Sequence, residues 1–193
     1  MEDKEDTLIM NFIKGDRINL IPFPQKDINL FVRWMNDPDV RIYTRNPLPR
    51  TIEEVKKWFE PKKEEVKTDV DFLIYHKNDK KKIGMVRLTD IQWLNRNANI
   101  FTVIGESEYW GKGIAVEAGK LMITYAFEEL NLHKIHTSIY APNERSLKAA
   151  AKLGLVEEAV LREEIYIDGV HVDNHKFAVF KEDWLNLKKD EDV

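Results

Sequence analysis

The chain has 193 residues, of which 43% are hydrophobic and 33% charged, a composition typical of a globular domain with a sizeable core. Its 30 basic and 34 acidic residues give a formal net charge of −4, which argues against general nucleic-acid binding because that binding depends on neutralising phosphates. The absence of cysteine excludes disulfides, thiolate metal sites and a cysteine nucleophile.

The first part of the chain predicts a strand pair followed by two helices. Residues 1–7 are charged and are expected to be a flexible tail, and the stretches LIMNFI and RINLIPF flank a KGD turn as paired strands do. Pro38 is expected to end the first helix, and Thr51 and Glu54 have the capping-box spacing that begins the second. The apolar positions of the first helix are Ile28, Phe31, Val32 and Met35.

The middle of the chain predicts three strands and then a long helix. VDFLIYH and KKKIGMVRLTDIQWL are joined by an Asn-Asp turn, and NANIFTVIG is the third strand. The segment ESEYWGKGIAVEAGKLMITYAFEEL follows, with Gly111 and Gly113 just before the helix. The expected apolar stripe of this helix is Val116, Leu121, Met122, Tyr125, Ala126 and Leu130.

The last part of the chain predicts a strand, a helix and a hairpin. KIHTSIY is the strand, and NERSLKAAAKLG is the helix, with Asn143 as N-cap and Gly154 as C-cap. An Asp-Gly pair between two β-rich runs indicates the hairpin, and residues 187–193 are expected to be a flexible tail. No repeat or linker divides the chain, so residues 1–193 predict a single α/β domain.

The two glycines before the long helix favour an anion site. Glycine allows a sharp turn and a close approach to backbone N–H groups, and a helix N-terminus adds partial positive charge. A Walker A loop is excluded because Lys112 is followed by Gly113, and the dinucleotide fingerprint fails because its third glycine is replaced by Val116. The segment therefore predicts a pyrophosphate cradle, with a plain strand-to-helix turn as the alternative.

Taken together, EYWGKGIAVEA and NERSLKAAAKLGL resemble the two cofactor-binding motifs of the GNAT acyltransferase superfamily. Within it, the chain resembles the RimJ/RimL-type protein N-acetyltransferases and the spermidine acetyltransferases, over residues 15–184. The resemblance implies the α/β (α+β) GNAT fold, a mixed and mostly antiparallel sheet of about seven strands flanked by helices, splayed between strands 4 and 5.

The resemblance also implies acetyl-CoA as co-substrate. The pantetheine would pair with the strand edge at Val103, Ile104 and Gly105, since an open strand edge can recruit an amide-bearing chain. Asn143 and Ser146 would line the pantetheine path near the thioester. The pyrophosphate would lie on the backbone N–H groups of Trp110, Gly111, Lys112, Gly113, Ile114 and Ala115.

The chain departs from the family pattern at three positions. Glu108 stands where the loop usually has Gln or Arg, so its carboxylate is expected to point away from the phosphate. Asn99 replaces a Glu that acts as base in many members, and Ala150 replaces a Tyr that protonates the departing thiolate. Ser146 matches a Ser proposed as thiolate acid, with hydrogen bonding at the helix end as the alternative role.

The final hairpin offers a carboxylate as the missing base. Glu163 and Glu164 are consecutive on a predicted strand, so they should face opposite sides and only one can reach a cleft. Glu163 shares a face with Ile165, the position that faces inward in related enzymes, and is the candidate. Two solvated carboxylates are the alternative.

The acceptor is expected to be a primary amine, and the early loop RIYTRNPLPR lies where related enzymes build the acceptor mouth. The side chains of this loop that would make the mouth basic are Arg41, Tyr43, Arg45 and Arg50. A basic mouth suits an acidic or carboxylate-bearing acceptor better than a polyamine, with a plain surface loop as the alternative.

We expect the acceptor to be a protein N-terminal α-amine, with a polyamine or an amino-sugar as the alternative acceptor. A catalytically silent acyl-CoA-binding module is the alternative class of protein.

Further expectations concern metals, location and partners. His133 and His136 are three apart on a predicted strand and face opposite sides, so no metal site is expected. No apolar run has the length of a membrane span, and the acidic start MEDKEDTLIM is unlike a signal peptide. These features predict a cytoplasmic protein with no membrane or nucleic-acid partner, and they leave a homodimer open.

Overall fold

The computed structural model describes residues 11–44, 47–60 and 66–191. Within these ranges the strands are β1 (Ile13–Lys14), β2 (Ile18–Pro22), β3 (Val70–His76), β4 (Lys81–Gln92), β5 (Asn97–Ile104), β6 (Lys134–Tyr140), β7 (Val156–Ile167) and β8 (Val170–Phe180). The helices are α1 (Ile28–Asn36), α2 (Pro38–Thr44), α3 (Ile52–Phe59), α4 (Ile114–Glu128), α5 (Glu144–Lys152) and α6 (Lys181–Glu191). None of these helices is long and apolar enough to cross a membrane.

The strands are hydrogen-bonded in the order β1-β2-β3-β4-β5-β6-β8-β7. The pairs β1–β2, β2–β3, β6–β8 and β7–β8 are antiparallel, and β5–β6 is parallel. The predicted fold class, a mixed sheet with flanking helices, is confirmed, with eight described strands where about seven were expected. The β5–β6 pairing joins Asn97–Asn99 to Lys134–His136, and residues 100–104 continue beyond that register.

The chain divides into two compact units. The first comprises Met1–Glu65, Asp71–Val86 and Thr102–Ala118. The second comprises Val66–Val70, Arg87–Phe101 and Gly119–Val193. Strands β4 and β5 and helix α4 each run through both units, and the single domain over residues 1–193 stays a prediction.

In the first unit, α1 begins and ends close to its predicted limits. Its buried residues include Trp34, whereas the predicted Val32 is only half-buried. Pro38 ends one helix and begins the next, because a proline is tolerated in the first helical turn. The Asp37 carboxylate accepts hydrogen bonds from the backbone N–H groups of Asp39 and Val40, at 2.9 and 3.3 Å, and so caps α2, which the sequence analysis did not predict.

The predicted capping box of α3 is confirmed. The Glu54 N–H donates to Thr51 Oγ1 at 3.2 Å, and the Thr51 N–H donates to Glu54 Oε2 at 3.0 Å. The helix ends at Phe59, whose ring stacks on Phe23 at 4.3 Å between centroids. Residues 61–65, which follow soon after the helix, lie outside the described residues.

In the second unit, the apolar stripe of α4 differs from its prediction. Met122 and Ala126 are buried as expected, but Leu121 and Tyr125 are only half-buried. Ile123 and Phe127 are buried, so the inward face is turned by about one residue toward the C-terminus. Periodicity alone does not fix this rotation, because the helix is apolar over most of its circumference.

The hairpin and the chain end also follow local sequence. Asp168 and Gly169 adopt left-handed backbone angles, φ +49° and +87°, as a two-residue turn between β7 and β8 requires. Helix α6 continues to Glu191, so the first part of the tail predicted over residues 187–193 is helical. Trp184 anchors α6 with its side chain buried.

Candidate functional site

The two glycines before α4 form a loop whose backbone only glycine adopts readily. Gly111 and Gly113 have φ of +72° and +76°. A Cβ built on Gly111 would meet nothing within 4 Å, so the space beside this residue is open to a ligand. Helix α4 begins at Ile114, and the Glu117 N–H donates to the Gly113 carbonyl at 3.1 Å, so the N–H groups before Glu117 have no carbonyl one turn earlier in the helix to bond. These groups form a donor cluster at the positive end of the helix.

Trp110 does not offer its backbone N–H to a phosphate as predicted. Its backbone N–H donates to the Ser107 carbonyl at 3.0 Å, in the 3₁₀ turn Ser107–Tyr109, so it is not among the donors left for a phosphate. Its indole Nε1 donates to the Ile104 carbonyl at 2.7 Å. The cradle therefore begins at Gly111, and Trp110 fastens it to the end of β5.

A salt bridge from Arg17, the residue before β2, braces the cradle. Arg17 Nε and the Arg17 backbone N–H each donate to the Glu117 carboxylate at 2.8 Å, and Arg17 Nη1 donates to the Lys112 carbonyl at 2.7 Å. Glu117 lies in the first turn of α4, where its negative charge interacts favourably with the positive end of the helix dipole. This brace could not be predicted from the sequence, because nothing in the local pattern links residues 100 positions apart.

Only part of the strand edge predicted for pantetheine, at Val103, Ile104 and Gly105, faces away from β4. The Gly105 N–H donates to the Ile83 carbonyl of β4 at 2.9 Å, so the polar groups of Gly105, and of Val103 by strand alternation, face β4. The prediction that backbone groups of Val103 and Gly105 pair with pantetheine at the edge away from β4 is therefore wrong. The polar groups of Ile104 and Thr102 face that edge instead.

A half-buried carboxylate, that of Glu106, anchors the loop between β5 and the cradle. Glu106 accepts hydrogen bonds from Trp34 Nε1 at 2.8 Å, from Lys81 Nζ at 2.6 Å and from Arg33. Burial alone would raise the pKa of Glu106, but the hydrogen bonds from Lys81 and Trp34 and the charges of Arg33 and Lys81 outweigh it and hold the pKa below its ordinary value. Lys81 Nζ also lies 2.8 Å from Glu108 Oε1. Glu108, which departs from the family pattern, is therefore held in an ion pair.

In the second unit, Asn143 rather than Ser146 caps α5. Asn143 Oδ1 accepts a hydrogen bond from the Ser146 backbone N–H at 3.2 Å, as predicted for the N-cap. The Ser146 hydroxyl is half-buried and has no hydrogen-bond partner among the described residues. The alternative role of Ser146 as a helix cap is therefore wrong. Ala150 is buried in the same helix.

The hairpin does not hold Glu163 as predicted. Strand β7 has a bulge between Leu161 and Ile165, and Glu163 adopts φ +53° within it. Side chains no longer alternate there, so strand alternation does not place Glu163 on the face of Ile165 as predicted. Glu164 Oε2 instead accepts a hydrogen bond from Asn174 Nδ2 at 2.5 Å, and Asn174 is 5% exposed.

The predicted basic mouth is only partly described, since Arg45 lies outside the described residues. Arg50 lies over the Trp58 ring at 5.0 Å. Tyr43 of α2 packs edge-on against Trp110, with 5.9 Å between ring centroids, and so contacts the cradle. The cradle and the β5 edge thus belong to the first unit, and the predicted Asn143, Ser146 and Glu163 to the second.

No cluster of three or more metal-ligating side chains occurs among the residues that the structure describes. The metal-free site stays a prediction.

Comparison with known proteins places these features in a family. The profile described as the acetyltransferase (GNAT) domain matches residues 17–156. The chain is 35% identical over 105 residues to the putative ribosomal N-acetyltransferase YdaF of Bacillus subtilis (strain 168), covering 54% of this chain and 57% of that protein. It is 35% identical over 107 residues to the spermidine N(1)-acetyltransferase of Escherichia coli (strain K12), covering 55% and 57%. The chain thus spans less than two thirds of these relatives.

Solved structures share the fold over a larger part of the chain. The crystal structure of spermidine N-acetyltransferase from Vibrio cholerae in complex with CoA and spermine superposes with a TM-score of 0.80 at 25% identity, covering 88% of this chain and 99% of that one. A chimera of the Vibrio cholerae enzyme gives a TM-score of 0.79 at 24% identity, covering 89% and 99%.

Proposed function

The chain belongs to the GNAT acetyltransferase family, and on that premise we propose that it transfers the acetyl group of acetyl-CoA to a primary amine. The observation that carries the proposal is the glycine cradle at the start of α4. Its open space at Gly111 and its unbonded first-turn N–H groups suit a pyrophosphate. A solved structure that shares the fold is described as a complex with CoA, which supports the same ligand here.

The residues that would hold the cofactor follow from the corrected geometry. The N–H groups from Gly111 through Ala115 would bind the pyrophosphate, with the loop held in place by Arg17 and Glu117. The edge groups of Thr102 and the Ile104 N–H would pair with the amide groups of pantetheine, since the Ile104 carbonyl already accepts a hydrogen bond from Trp110 Nε1. When bound, acetyl-CoA supplies an activated thioester.

Ser146 is proposed to supply the proton that the departing thiolate needs. Its hydroxyl is not engaged in capping α5, because Asn143 does that, and it is half-buried near the N-terminus of the helix. A hydroxyl held there can donate to a developing negative charge.

The proposed acceptor is the α-amine of a protein N-terminus. The similarity to the putative ribosomal N-acetyltransferase supports this class, as does the exposed Arg41 on α2, which would attract acidic peptides. A polyamine is the second candidate, because the chain is equally similar to a spermidine acetyltransferase. Cytoplasmic location and a homodimer stay predictions.

A panel of acceptors tests the function. CoA release from acetyl-CoA would be followed with a thiol reagent, using peptides with different N-terminal residues, the same peptides with blocked α-amines, spermidine and glucosamine. We expect release with free peptide α-amines and none with the blocked peptides. Tight CoA binding with no release for any acceptor would contradict the enzyme and identify an acyl-CoA-binding module.

A further inference from the structure

The sheet of the second unit has two unlike faces. Leu88, Ala98 and Ile135 are 0% exposed and form one apolar face across β4, β5 and β6. The residues that alternate with them, Thr89, Asn99 and His136, are polar and only half-buried. A sheet that buries one face completely and leaves polar groups on the other has a surface that a polar ligand can contact.

Specific contacts define this polar face. Asn99 Nδ2 donates to Thr89 Oγ1 at 3.0 Å, and His136 is the register partner of Asn99 in the parallel β5–β6 pair. Lys176 Nζ donates to Ser138 Oγ at 2.8 Å, two residues further along β6. We call these five residues the polar face: Thr89, Asn99, His136, Ser138 and Lys176.

The five side chains of the polar face differ in their ability to accept a proton near neutral pH. An amide such as Asn99 and the hydroxyls of Thr89 and Ser138 cannot take up a proton near neutral pH, and the Lys176 ammonium already carries one. The imidazole of His136 has a free lone pair when it is neutral. It is therefore the group on the polar face able to accept a proton from an ammonium.

The surroundings of His136 keep it in the neutral form. Burial is the largest effect and lowers its pKa below 6.5, and the nearby Lys134 and Lys176 lower it further. Asp90 and Glu158 act in the opposite direction without reversing the shift. The neighbouring β5 contributes only the uncharged Asn99 in register.

We propose that His136 contacts the acceptor amine and takes the proton from its ammonium form. This inference rests on the proposed acetyl transfer. The ammonium loses one proton to the His136 imidazole, which later releases it to water. The amine nitrogen then forms the bond to the acetyl carbon while the carbon–sulfur bond breaks, and its second proton goes to the thiolate, directly or through Ser146.

The test compares His136→Gln with His133→Gln. His133 is exposed just before β6 and contacts the Phe180 ring, so it is a matched control. For wild type we expect the kcat/KM profile to fall at acid pH with a midpoint below 6.5. His136→Gln should lower kcat/KM by about 10²–10⁴-fold and abolish that acid limb, because the base is gone. His133→Gln should keep both the rate and the limb.

Two further measurements keep the inference open to refutation. NMR of the histidines with CoA and an acceptor needs no turnover: the His136 signals should shift when an acceptor amine is added to the CoA-bound enzyme, and signals that do not respond to any amine that the enzyme acetylates would overturn the assignment. Glu163→Gln tests the alternative base. If the acid limb of the kcat/KM profile is lost in Glu163→Gln and kept in His136→Gln, Glu163 is the base. If wild type binds CoA but acetylates no amine of the panel, the proposed function fails and this inference fails with it. An active enzyme whose profile is unchanged in His136→Gln refutes this inference alone.

Discussion

Replacing Gly111 by alanine should change both the stability of the protein and its affinity for CoA, for two different physical reasons. A Cβ at Gly111 would meet nothing within 4 Å, so the free protein should lose only the cost of a non-glycine residue at φ +72°. That cost is about 1–2 kcal/mol, which lowers Tm by about 2–8 °C in a chain of this size. The same methyl group would occupy the space beside the donor cluster. Loss of one hydrogen bond to a charged phosphate costs about 1.5–3 kcal/mol and should weaken CoA binding about 10- to 150-fold.

The hairpin supplies a matched control for this experiment. Gly169 also has a left-handed φ, +87°, and a Cβ there would also meet nothing within 4 Å. Gly169→Ala should therefore lower Tm by a similar amount and leave CoA affinity unchanged. Calorimetric titration with CoA and thermal unfolding would be measured on both variants. Wild-type affinity in Gly111→Ala, or an equal loss of affinity in Gly169→Ala, would refute the cradle.

Three other predictions follow from the site. Ser146→Ala should lower kcat by about 10²–10⁴-fold with little change in stability, whereas Asn143→Ala should lose about 1 kcal/mol of unfolding free energy; an unchanged kcat in Ser146→Ala would remove the proton-donor role. Activity should survive treatment with a chelator, and activity lost to the chelator and restored by zinc would contradict the metal-free site. The pKa of Glu106 is held below 4.5, so its stabilisation is present above that pH and is lost as pH falls through the lowered value. Glu106→Gln should therefore flatten the acid side of the stability profile measured by denaturant unfolding, and an unchanged slope would show that the Lys81 pair contributes nothing.

The sequence alone determined the features that depend on neighbours along the chain. The Thr51 capping box, the Asn143 N-cap and the Asp-Gly turn of the last hairpin were all predicted correctly. Each depends on bonds or backbone angles within about four residues, so the residue types suffice to specify it. The positive φ angles of Gly111 and Gly113 are likewise local features that the residue type makes possible.

Tertiary structure decided how those local elements are aligned with one another. The pairing of β5 with β4 determines which backbone groups face the open edge, and the bond from the Gly105 N–H to the Ile83 carbonyl turns Gly105 away from that edge while Ile104 faces it. The bulge in β7 reorients Glu163, and its presence depends on how Leu161 and Ile165 pair with β8. The brace between Arg17 and Glu117 and the pairing of Asn99 with His136 join residues 100 and 37 positions apart, distances over which only the folded sheet brings side chains together.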